Sequence, residues 1–595
     1  MDFIPRNEVA FLLNDWLDVA ALTRRDTYRE HSVDTFNAVL DLAADLARDH
    51  FAPHYKASDA TEPELVSDAV RLIPAIGEAL QAYADAGFFA SAFPGDLGGL
   101  QLPNTVATAA FAHFCAANIS TAAYPMLTGG NARLLLACAS PAQIHAWARP
   151  QIAGRYFGTM CLSEPHAGSS LADIRTRATP DGSDELGHRY RLRGNKMWIS
   201  GGDHALSENI VHLVLAKAPD DDGTQLPGIR GISLFAVPKV LPDGSRNDVV
   251  VAGLNHKMGY RGTVNCLLNF GEATGALGWR IGAAGDGLPN MFRMMNEARI
   301  MVGLGAATLA CRGYTQSLDY ARGRPQGRRA ADARNPGAPL VPIVEHADVK
   351  RMLVAQKAIA EGALALVLYS ARLVDDIKTA PEASDRRDAE QLLGLLTPIT
   401  KSWPSEFGLV ANDHAIQVHG GYGYTREYDV EQIYRDNRLN PIHEGTHGIQ
   451  AIDFLGRKVL ADRGHALELL CARMAHTVDR AGAHPPLDAF AAALSAAIDT
   501  ARSALNRLAT HTDTVRAMDN ASHALSAFGH TVVAWLWLDQ AIAALALADT
   551  RAEQREAKLA TCRYFFECEL PKTEAQWRLV AEANTAASDV PSALL

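Results

Sequence analysis

The sequence has few cysteines for its length, and none of them form a CxxC pair. Eight cysteines are scattered over 595 residues. This spacing argues against a disulfide framework and against a structural zinc site, so we predict no bound metal. Scattered free thiols are typical of proteins in a reducing compartment, and we therefore expect a cytoplasmic location.

An excess of positive charge is also missing. The net charge at pH 7 is -11, with 56 Lys and Arg against 67 Asp and Glu. A general nucleic-acid-binding protein needs a basic surface for the phosphate backbone. We therefore predict that nucleic acid is not a partner.

Targeting and membrane-spanning patterns are weak. The first residues mix acids and bases and lack a cationic start followed by an apolar run, so they resemble neither a secretory signal nor a transit peptide. The longest apolar stretch, residues 531–550, is interrupted by Asp539 and Gln540, which would be costly inside a bilayer. We interpret this stretch as a buried helix and predict no transmembrane segment; a peripheral membrane contact is the alternative.

Two common nucleotide-binding fingerprints are absent. The glycine-rich run at residues 420–424 reads GGYGY, which is not GxGxxG and does not follow a predicted strand. No GxxxxGK[ST] motif occurs either. Rossmann-type and P-loop sites are therefore excluded.

The periodicity of apolar residues divides the chain into four parts. A chain of this length is too long for one hydrophobic core. Residues 1–157 have helical spacing, notably at 34–50 and 63–86, and residues 158–278 contain short β-branched runs separated by turns. Helical spacing returns near Leu288, Met291, Phe292 and Met295 and continues to about residue 322. After a loop rich in proline, glycine and arginine, further helical patterns occupy about 346–376, 389–414 and the segment from 461 to the end. We predict an α+β multidomain protein: an N-terminal helical domain (1–157), a central antiparallel β domain (158–278), a helical bundle (279–460) and an additional helical domain (461–595).

Two segments of the predicted β domain carry polar groups in unusual settings. In MCLSEPHAGSS, residues 160–170, turn-forming residues present serine hydroxyls and backbone amides that suit a phosphate or a polar ring edge. A plain entry loop is an equal alternative.

In GNKMWISGG, residues 194–202, Trp198 and Ser200 lie on one side if the segment is a strand, where they could cover a flat ring. A lone Trp is more often a core residue.

A third segment, residues 417–450, combines glycines with an isolated carboxylate. Gly420, Gly421 and Gly423 allow the backbone to approach a ligand closely. Glu444 comes directly before a predicted helix. A carboxylate enclosed by an apolar cofactor and substrate has a raised pKa, which suits a general base. The alternative is that Glu444 stabilises the helix through its dipole.

Taken together, these segments resemble the acyl-CoA dehydrogenase family. Six stretches between residues 160 and 450 occur in the order and at the spacing of that family: SEPHAGS, GNKMWIS, ARIMVGLGA, YARGRPQG, QVHGGYGY and HEGTHGIQ. The order of six segments is specific, whereas each alone is not. The opening FLLNDWLDVAAL and the long helical extension are similar to the large bacterial branch that includes 3-methylmercaptopropionyl-CoA dehydrogenases.

The resemblance implies that FAD lies between the β unit and the helices, with its adenosine end against a second subunit of a homodimer or a dimer of dimers. Trp198 would lie against the isoalloxazine, with Ser200 near N5 and Ser163 near the pyrimidine edge. Arg324 and Gln326 would reach the pyrophosphate of the FAD that the second subunit binds. The full set of cofactor contacts implied is Met160, Leu162, Ser163, Ser169, Trp198, Ser200, Arg324, Gln326, Gln417, Gly420, Gly421 and Thr446.

The resemblance also implies a reaction. Glu444 would remove the α-proton of an acyl-CoA thioester while the β-hydride passes to the flavin, giving a 2-enoyl-CoA, and electrons would leave to electron-transfer flavoprotein. Ser169, Arg299 and Gly445 would lie near the substrate. One position departs from the pattern: Gly448 stands where many relatives have Gln. The hydrogen bond of that Gln must be absent or replaced, and Gln450 is the candidate replacement.

Three other activities are compatible with the same scaffold. An acyl-CoA oxidase would use the same residues and pass electrons to oxygen. A related flavin monooxygenase would lack the thioester base, so Glu444 counts against it. A DNA-associated flavoprotein would need a basic C-terminal unit, whereas acids such as Asp539 and Glu567 here offset Arg502 and Lys558. The acyl chain and the choice between dimer and tetramer are left open.

Overall fold

A computed structural model describes residues 3–511, 513 and 515–595, leaving aside the side chains of 293–295. Met295, part of the predicted helical periodicity, thus has its side chain outside the described set. The helices are α1 (Arg6–Ala10), α2 (Val33–Leu46), α3 (Tyr55–Ala60), α4 (Pro74–Asp85), α5 (Asn104–Ala117), α6 (Ile119–Cys138), α7 (Pro141–Gln143), α8 (Arg149–Ile152), α9 (Gly287–Gly323), α10 (Ala347–Thr379), α11 (Ala383–His419), α12 (Val430–Asn437), α13 (His447–Ile452), α14 (His465–Ala481), α15 (Asp488–Ala509), α16 (Ala521–Leu545), α17 (Ala552–Tyr564) and α18 (Thr573–Ala581). The strands are β1 (Glu64–Val66), β2 (Ala69–Arg71), β3 (Tyr156–Cys161), β4 (Arg177–Asp184), β5 (Gly187–Ser200), β6 (Asn209–Lys217), β7 (Ile232–Pro238), β8 (Val249–Leu254), β9 (Asn265–Phe270) and β10 (Ala276–Ile281).

The chain divides into two compact units. The sheet unit comprises Asp41–Leu102 and Ala117–Ala298. The helical unit comprises the chain up to Leu40, Pro103–Ala116 and Arg299–Leu595. Both units are built from segments that are distant in sequence, so neither corresponds to one continuous predicted domain.

Eight strands form one sheet in the sheet unit. The order is β10-β7-β6-β4-β5-β9-β8, with β3 added beside β6. The predicted antiparallel character is confirmed for most neighbours, whereas β3 and β4 each run parallel to β6. The alternating residues 189–193 lie within β5, as their period of two predicts. Apolar residues of β6 and β7 pack with helix α6 and the turn before α8 in the main core, which includes Leu134, Trp147, Leu213, Leu234 and Trp279.

The expected helix over residues 63–86 is wrong in its first half. Residues 64–71 form a hairpin in which Glu64 faces Arg71 and Val66 faces Ala69. Ser67 turns the chain with φ 56°. Helix α4 begins only at Pro74, because proline lacks the N–H that a first helical turn leaves unused. The valines favour the strands locally, and the helical spacing is real only from that proline onward.

Three long helices form the centre of the helical unit. The structure confirms the predicted helices near 288–322, 346–376 and 389–414 as α9, α10 and α11. At one point α9 lies directly on α11: a Cβ added to Gly303 would be 2.1 Å from the carbonyl oxygen of Thr400. Glycine is therefore required there for the close approach. This contact brings the middle of α9 next to the middle of α11.

The C-terminal extension packs around α16. Trp535 and Trp537 are buried, which confirms that residues 531–550 belong largely to a buried helix. A buried charged cluster ties the N-terminal segment to this extension: the Lys558 ammonium lies between the carboxylates of Glu8 and Glu361. Within the described chain, α10 alone is long and apolar enough to cross a membrane by length and composition, and 83% of its apolar window is buried.

Candidate active site

Glu444 lies in a short turn between α12 and α13. Its φ is 53°, and the φ of Gly445 is 87°. Two consecutive residues in the left-handed region reverse the chain sharply, and a side chain other than glycine is uncommon there. Such a conformation persists only where surrounding contacts hold it, and it is found preferentially at functional sites.

Three side chains hold this turn. The Gln450 amide donates to the Glu444 carbonyl at 2.9 Å, and the Lys401 ammonium donates to the Gly445 carbonyl at 2.8 Å. The Thr446 hydroxyl accepts from the backbone N–H of Ile449 at 3.4 Å and caps α13. The Thr446 hydroxyl therefore fixes the start of α13, and its predicted contact with FAD stays a prediction. Gln450, rather than the glycine at 448, supplies an amide to the turn.

The Glu444 side chain is half-buried, and its carboxylate accepts no hydrogen bond from any residue that the structure describes. Loss of hydration raises the pKa of Glu444, and the charges of Lys401 and Arg299 partly oppose this increase. Arg299 is buried and paired with Asp453 at 2.7 Å. The result is a carboxylate with a raised proton affinity beside two cations.

The structure brings together the two segments that the sequence singles out in the sheet unit. The backbone N–H of Met197 donates to the Ser163 carbonyl at 3.0 Å. The Lys196 ammonium donates to the Leu162 carbonyl at 2.9 Å. The segment that ends β3 and the last part of β5 are therefore hydrogen-bonded to each other, and Met160, Leu162 and Ser163 are half-buried there.

Trp198 is not a core residue. Its side chain is 60% exposed, and its φ of 65° coincides with a register shift between β5 and β9. A bulge of this kind re-aims a side chain at the rim of a sheet. Nearby, the Ser200 hydroxyl accepts from the Asn265 amide at 3.1 Å. The arrangement offers an open aromatic face with hydroxyls at its edge.

Beneath this surface is an ion pair that the sequence analysis missed. Lys196 and Glu164 are buried and lie 3.0 Å apart. Glu164 also accepts from the backbone N–H groups of Arg175 and Thr176 and from the Thr176 hydroxyl. The available signal was the presence of opposite charges inside the SEPHAGS and GNKMWIS segments, which otherwise carry the ligand-facing groups.

The remaining predicted contacts lie on the surface of the helical unit. Arg324, at the end of α9, stacks over the Tyr422 ring with its guanidinium carbon 5.6 Å from the ring centroid. A Cβ on Gly420 or Gly421 would meet no atom within 4 Å, so the backbone there is open. Seven predicted contact residues are exposed. They are Ser169 in the sheet unit and Arg324, Gln326, Gln417, Gly420, Gly421 and Thr446 in the helical unit.

Family models match almost the whole chain. They describe an acyl-CoA dehydrogenase N-terminal domain (residues 34–155), middle domain (159–273) and C-terminal domain (285–460). A further model, described as acetyl-CoA dehydrogenase C-terminal like, matches residues 470–591. The extension that carries α14 to α18 is therefore a recognised module.

The chain aligns with similar proteins over most of its own length and most of theirs. The 3-methylmercaptopropionyl-CoA dehydrogenase of Ruegeria pomeroyi is 36% identical over 472 residues, covering 78% of this chain and 77% of the relative. A butyryl-CoA dehydrogenase of Syntrophomonas wolfei is 31% identical, covering 98% and 97%. A crystal structure of an acyl-CoA dehydrogenase complexed with FAD from Bacillus anthracis has a TM-score of 0.73 at 20% identity, covering 96% of this chain and 91% of that one.

Proposed function

Because the chain belongs to the acyl-CoA dehydrogenase family of flavin-dependent oxidoreductases, we propose that it oxidises an acyl-CoA thioester to the 2-enoyl-CoA, with Glu444 as the base. The observation that carries the proposal is the raised pKa of Glu444 together with its unbonded carboxylate. Its carboxylate takes no hydrogen bond from the described residues, and loss of hydration raises its pKa. A base of this kind combines proton affinity with an accessible lone pair.

The residues present fit FAD. The exposed ring of Trp198, with Met160 and Leu162 half-buried alongside, suits a flat isoalloxazine ring. The Ser163 and Ser200 hydroxyls would bind the polar edge of that ring. The exposed guanidinium of Arg324 suits a pyrophosphate, as the resemblance predicts. When bound, FAD would supply the hydride acceptor.

The chain itself moves the proton. A Glu444 carboxylate oxygen would accept the α-proton of the thioester, and a positioned base contributes ~10²–10⁴-fold to the rate. The resulting negative charge on the thioester oxygen also needs a donor. The backbone N–H of Glu444 makes no hydrogen bond to another backbone group in the described chain and is available for this purpose.

The substrate is proposed to be a short acyl-CoA, since the two relatives named above act on 3-methylmercaptopropionyl-CoA and butyryl-CoA. Electron-transfer flavoprotein is the proposed acceptor. Cytoplasmic location, a homodimer or dimer of dimers, and the roles of Ser169 and Gly445 beside the substrate stay predictions of the sequence.

The test is an anaerobic titration of the purified yellow protein with butyryl-CoA, 3-methylthiopropionyl-CoA and a long-chain thioester. We expect rapid bleaching of the visible flavin absorbance with at least one of them. Glu444→Gln should slow this bleaching by ~10²–10⁴-fold. The matched control, Glu390→Gln, changes an exposed carboxylate on α11 and should bleach at the rate of the wild type.

Three outcomes would revise the proposal. A yellow wild type that no thioester bleaches would contradict the dehydrogenase activity. Equal rates in Glu444→Gln and the wild type would remove Glu444 from its role. Fast reoxidation of the reduced flavin by oxygen, without a flavoprotein acceptor, would identify an acyl-CoA oxidase.

A further inference from the structure

A buried lysine lies directly behind the Glu444 turn. Lys401, in the middle of α11, has no exposed surface. Its ammonium donates to the Gly445 carbonyl at 2.8 Å, one residue after the proposed base. Within the described part of the chain, no carboxylate lies within the 4.0 Å of an ion pair with this ammonium. Burial of a cation without a close partner is costly, so this position requires an explanation.

The other groups around Glu444 are compensated or neutral. Arg299 is paired with Asp453, which also binds Arg457 at 2.8 Å. Burial lowers the pKa of His443 to about 3, so this imidazole is neutral at pH 7. Lys401 is therefore the least compensated cation that acts on the Glu444 carboxylate.

Two further titratable groups lie close to Lys401. Glu406 follows Lys401 by five residues in α11 and lies 3.8 Å from His447. Burial lowers the pKa of His447, and Glu406 opposes that effect. Burial also lowers the pKa of Lys401 to about 8, while Glu444 and Glu406 oppose the decrease and Arg299 adds to it. At neutral pH most molecules therefore carry the positive charge on Lys401.

We propose that Lys401 is a positioning residue for the reaction: its ammonium anchors the Glu444 turn through the Gly445 carbonyl and presents a positive charge that keeps the base ionised. This role rests on the proposed function of Glu444. It has two separable parts, because a neutral donor could serve as the anchor whereas only a cation stabilises the carboxylate anion.

The first experiment tests the charge of Lys401 by the pH dependence of flavin reduction with the thioester that bleaches the wild type. Lys401→Met removes the donor and the charge, and Lys401→Gln keeps an amide donor without the charge. In both variants the acid limb of the rate profile should move to higher pH by about one unit, since loss of an adjacent opposite charge raises a carboxylate pKa by that order. On the acid limb itself this corresponds to a rate about tenfold lower, which recovers as the pH rises.

The second experiment does not depend on catalysis. Thermal unfolding at pH 7.5 is compared for the wild type, Lys401→Met, Glu444→Gln and the double variant. If the two charges interact, Lys401→Met should lower the melting temperature more in the wild-type background than in the Glu444→Gln background. Should Lys401→Met not fold alone, Lys401→Gln takes its place in the cycle.

The outcomes are distinguishable from a failure of the proposed function. A coupled thermal cycle together with a shifted acid limb supports the proposal. An additive cycle, or an unchanged acid limb with a uniform loss of rate, shows a packing role alone and overturns it. If no thioester bleaches the wild type, the proposed function fails, and the thermal cycle still decides whether Lys401 acts on Glu444.

Discussion

Two glutamates from two of the segments that carry the family resemblance have opposite surroundings. Glu164, in the sheet unit, is buried and accepts hydrogen bonds from Lys196, Thr176 and the Arg175 backbone. Glu444, in the helical unit, is half-buried and its carboxylate accepts none from the described residues. Burial raises the pKa of both, but for Glu164 the Lys196 charge and the hydrogen bonds outweigh burial and the pKa is lowered.

The difference shows how one residue type acquires two roles. A carboxylate whose lone pairs are all occupied is a poor proton acceptor and a good structural anchor. A carboxylate that accepts no hydrogen bond from nearby cations keeps its lone pairs available to accept a proton. Glu164 therefore fixes the loop that would face the flavin, and Glu444 remains free to accept a proton.

The largest effect is expected from Lys196→Met, which leaves the Glu164 charge buried without its partner. We expect the free energy of unfolding to fall by about 3–5 kcal/mol. The FAD content should fall too, since Lys196 also holds the Leu162 carbonyl. Urea unfolding and the ratio of flavin to protein absorbance measure these effects.

The matched control for that variant is Lys217→Met, which changes a half-buried lysine at the end of β6. It should cost about 0.5 kcal/mol or less. If both variants lose the same stability and retain the same FAD, the buried pair does not anchor the flavin-facing loop.

A smaller effect is expected from Glu164→Gln, which keeps the shape of the side chain. Loss of charge-assisted hydrogen bonds should cost about 1.5–3 kcal/mol at pH 7. Because the pKa of Glu164 is lowered in the folded state, its contribution is present above the unfolded value of about 4.3 and disappears as the pH falls through the folded value. Unfolding measured from pH 7 to pH 3 should show the wild type and the variant converge.

The smallest effect, with the opposite sign, is expected from Glu444→Gln. The pKa of Glu444 is raised in the folded state, so its ionisation reduces stability as the pH rises from the unfolded value towards the folded one. The variant should therefore be more stable than the wild type at pH 7.5 and equal to it in acid. A loss of stability at pH 7.5 would show that the folded protein stabilises the ionised Glu444 carboxylate, as it does that of Glu164.

Most of the fold could be predicted where periodicity is long and regular. The alternation in β5 and the apolar helix α16 were both visible in the chain, since each pattern repeats over many residues. The hairpin at residues 64–71 was not visible in the sequence. Its three-residue strands offer too few positions to outweigh the helical spacing that follows. The grouping of distant segments into two compact units is not visible along the chain, since helix α5 packs with segments far away in sequence.

The candidate site was predictable in its residue types and only partly in its environment. Glu444, Trp198 and Arg324 were identified from the order of segments, and the structure shows an unbonded carboxylate, an exposed ring and an exposed guanidinium. Lys196 and Lys401 were overlooked, because a lysine in a strand or helix ordinarily lies in solvent. Only the packing around them reveals that they are buried.

The order of local motifs thus determines the family and which carboxylate, hydroxyl and aromatic groups are candidates for the proposed base and flavin contacts, because these depend on residue identity and spacing alone. The tertiary structure decides the proton affinity of each carboxylate. Lys401 approaches Glu444 across 43 residues of chain, and Lys196 approaches Glu164 across 32. Electrostatic energy depends on distance and burial in space, which spacing along the chain does not specify.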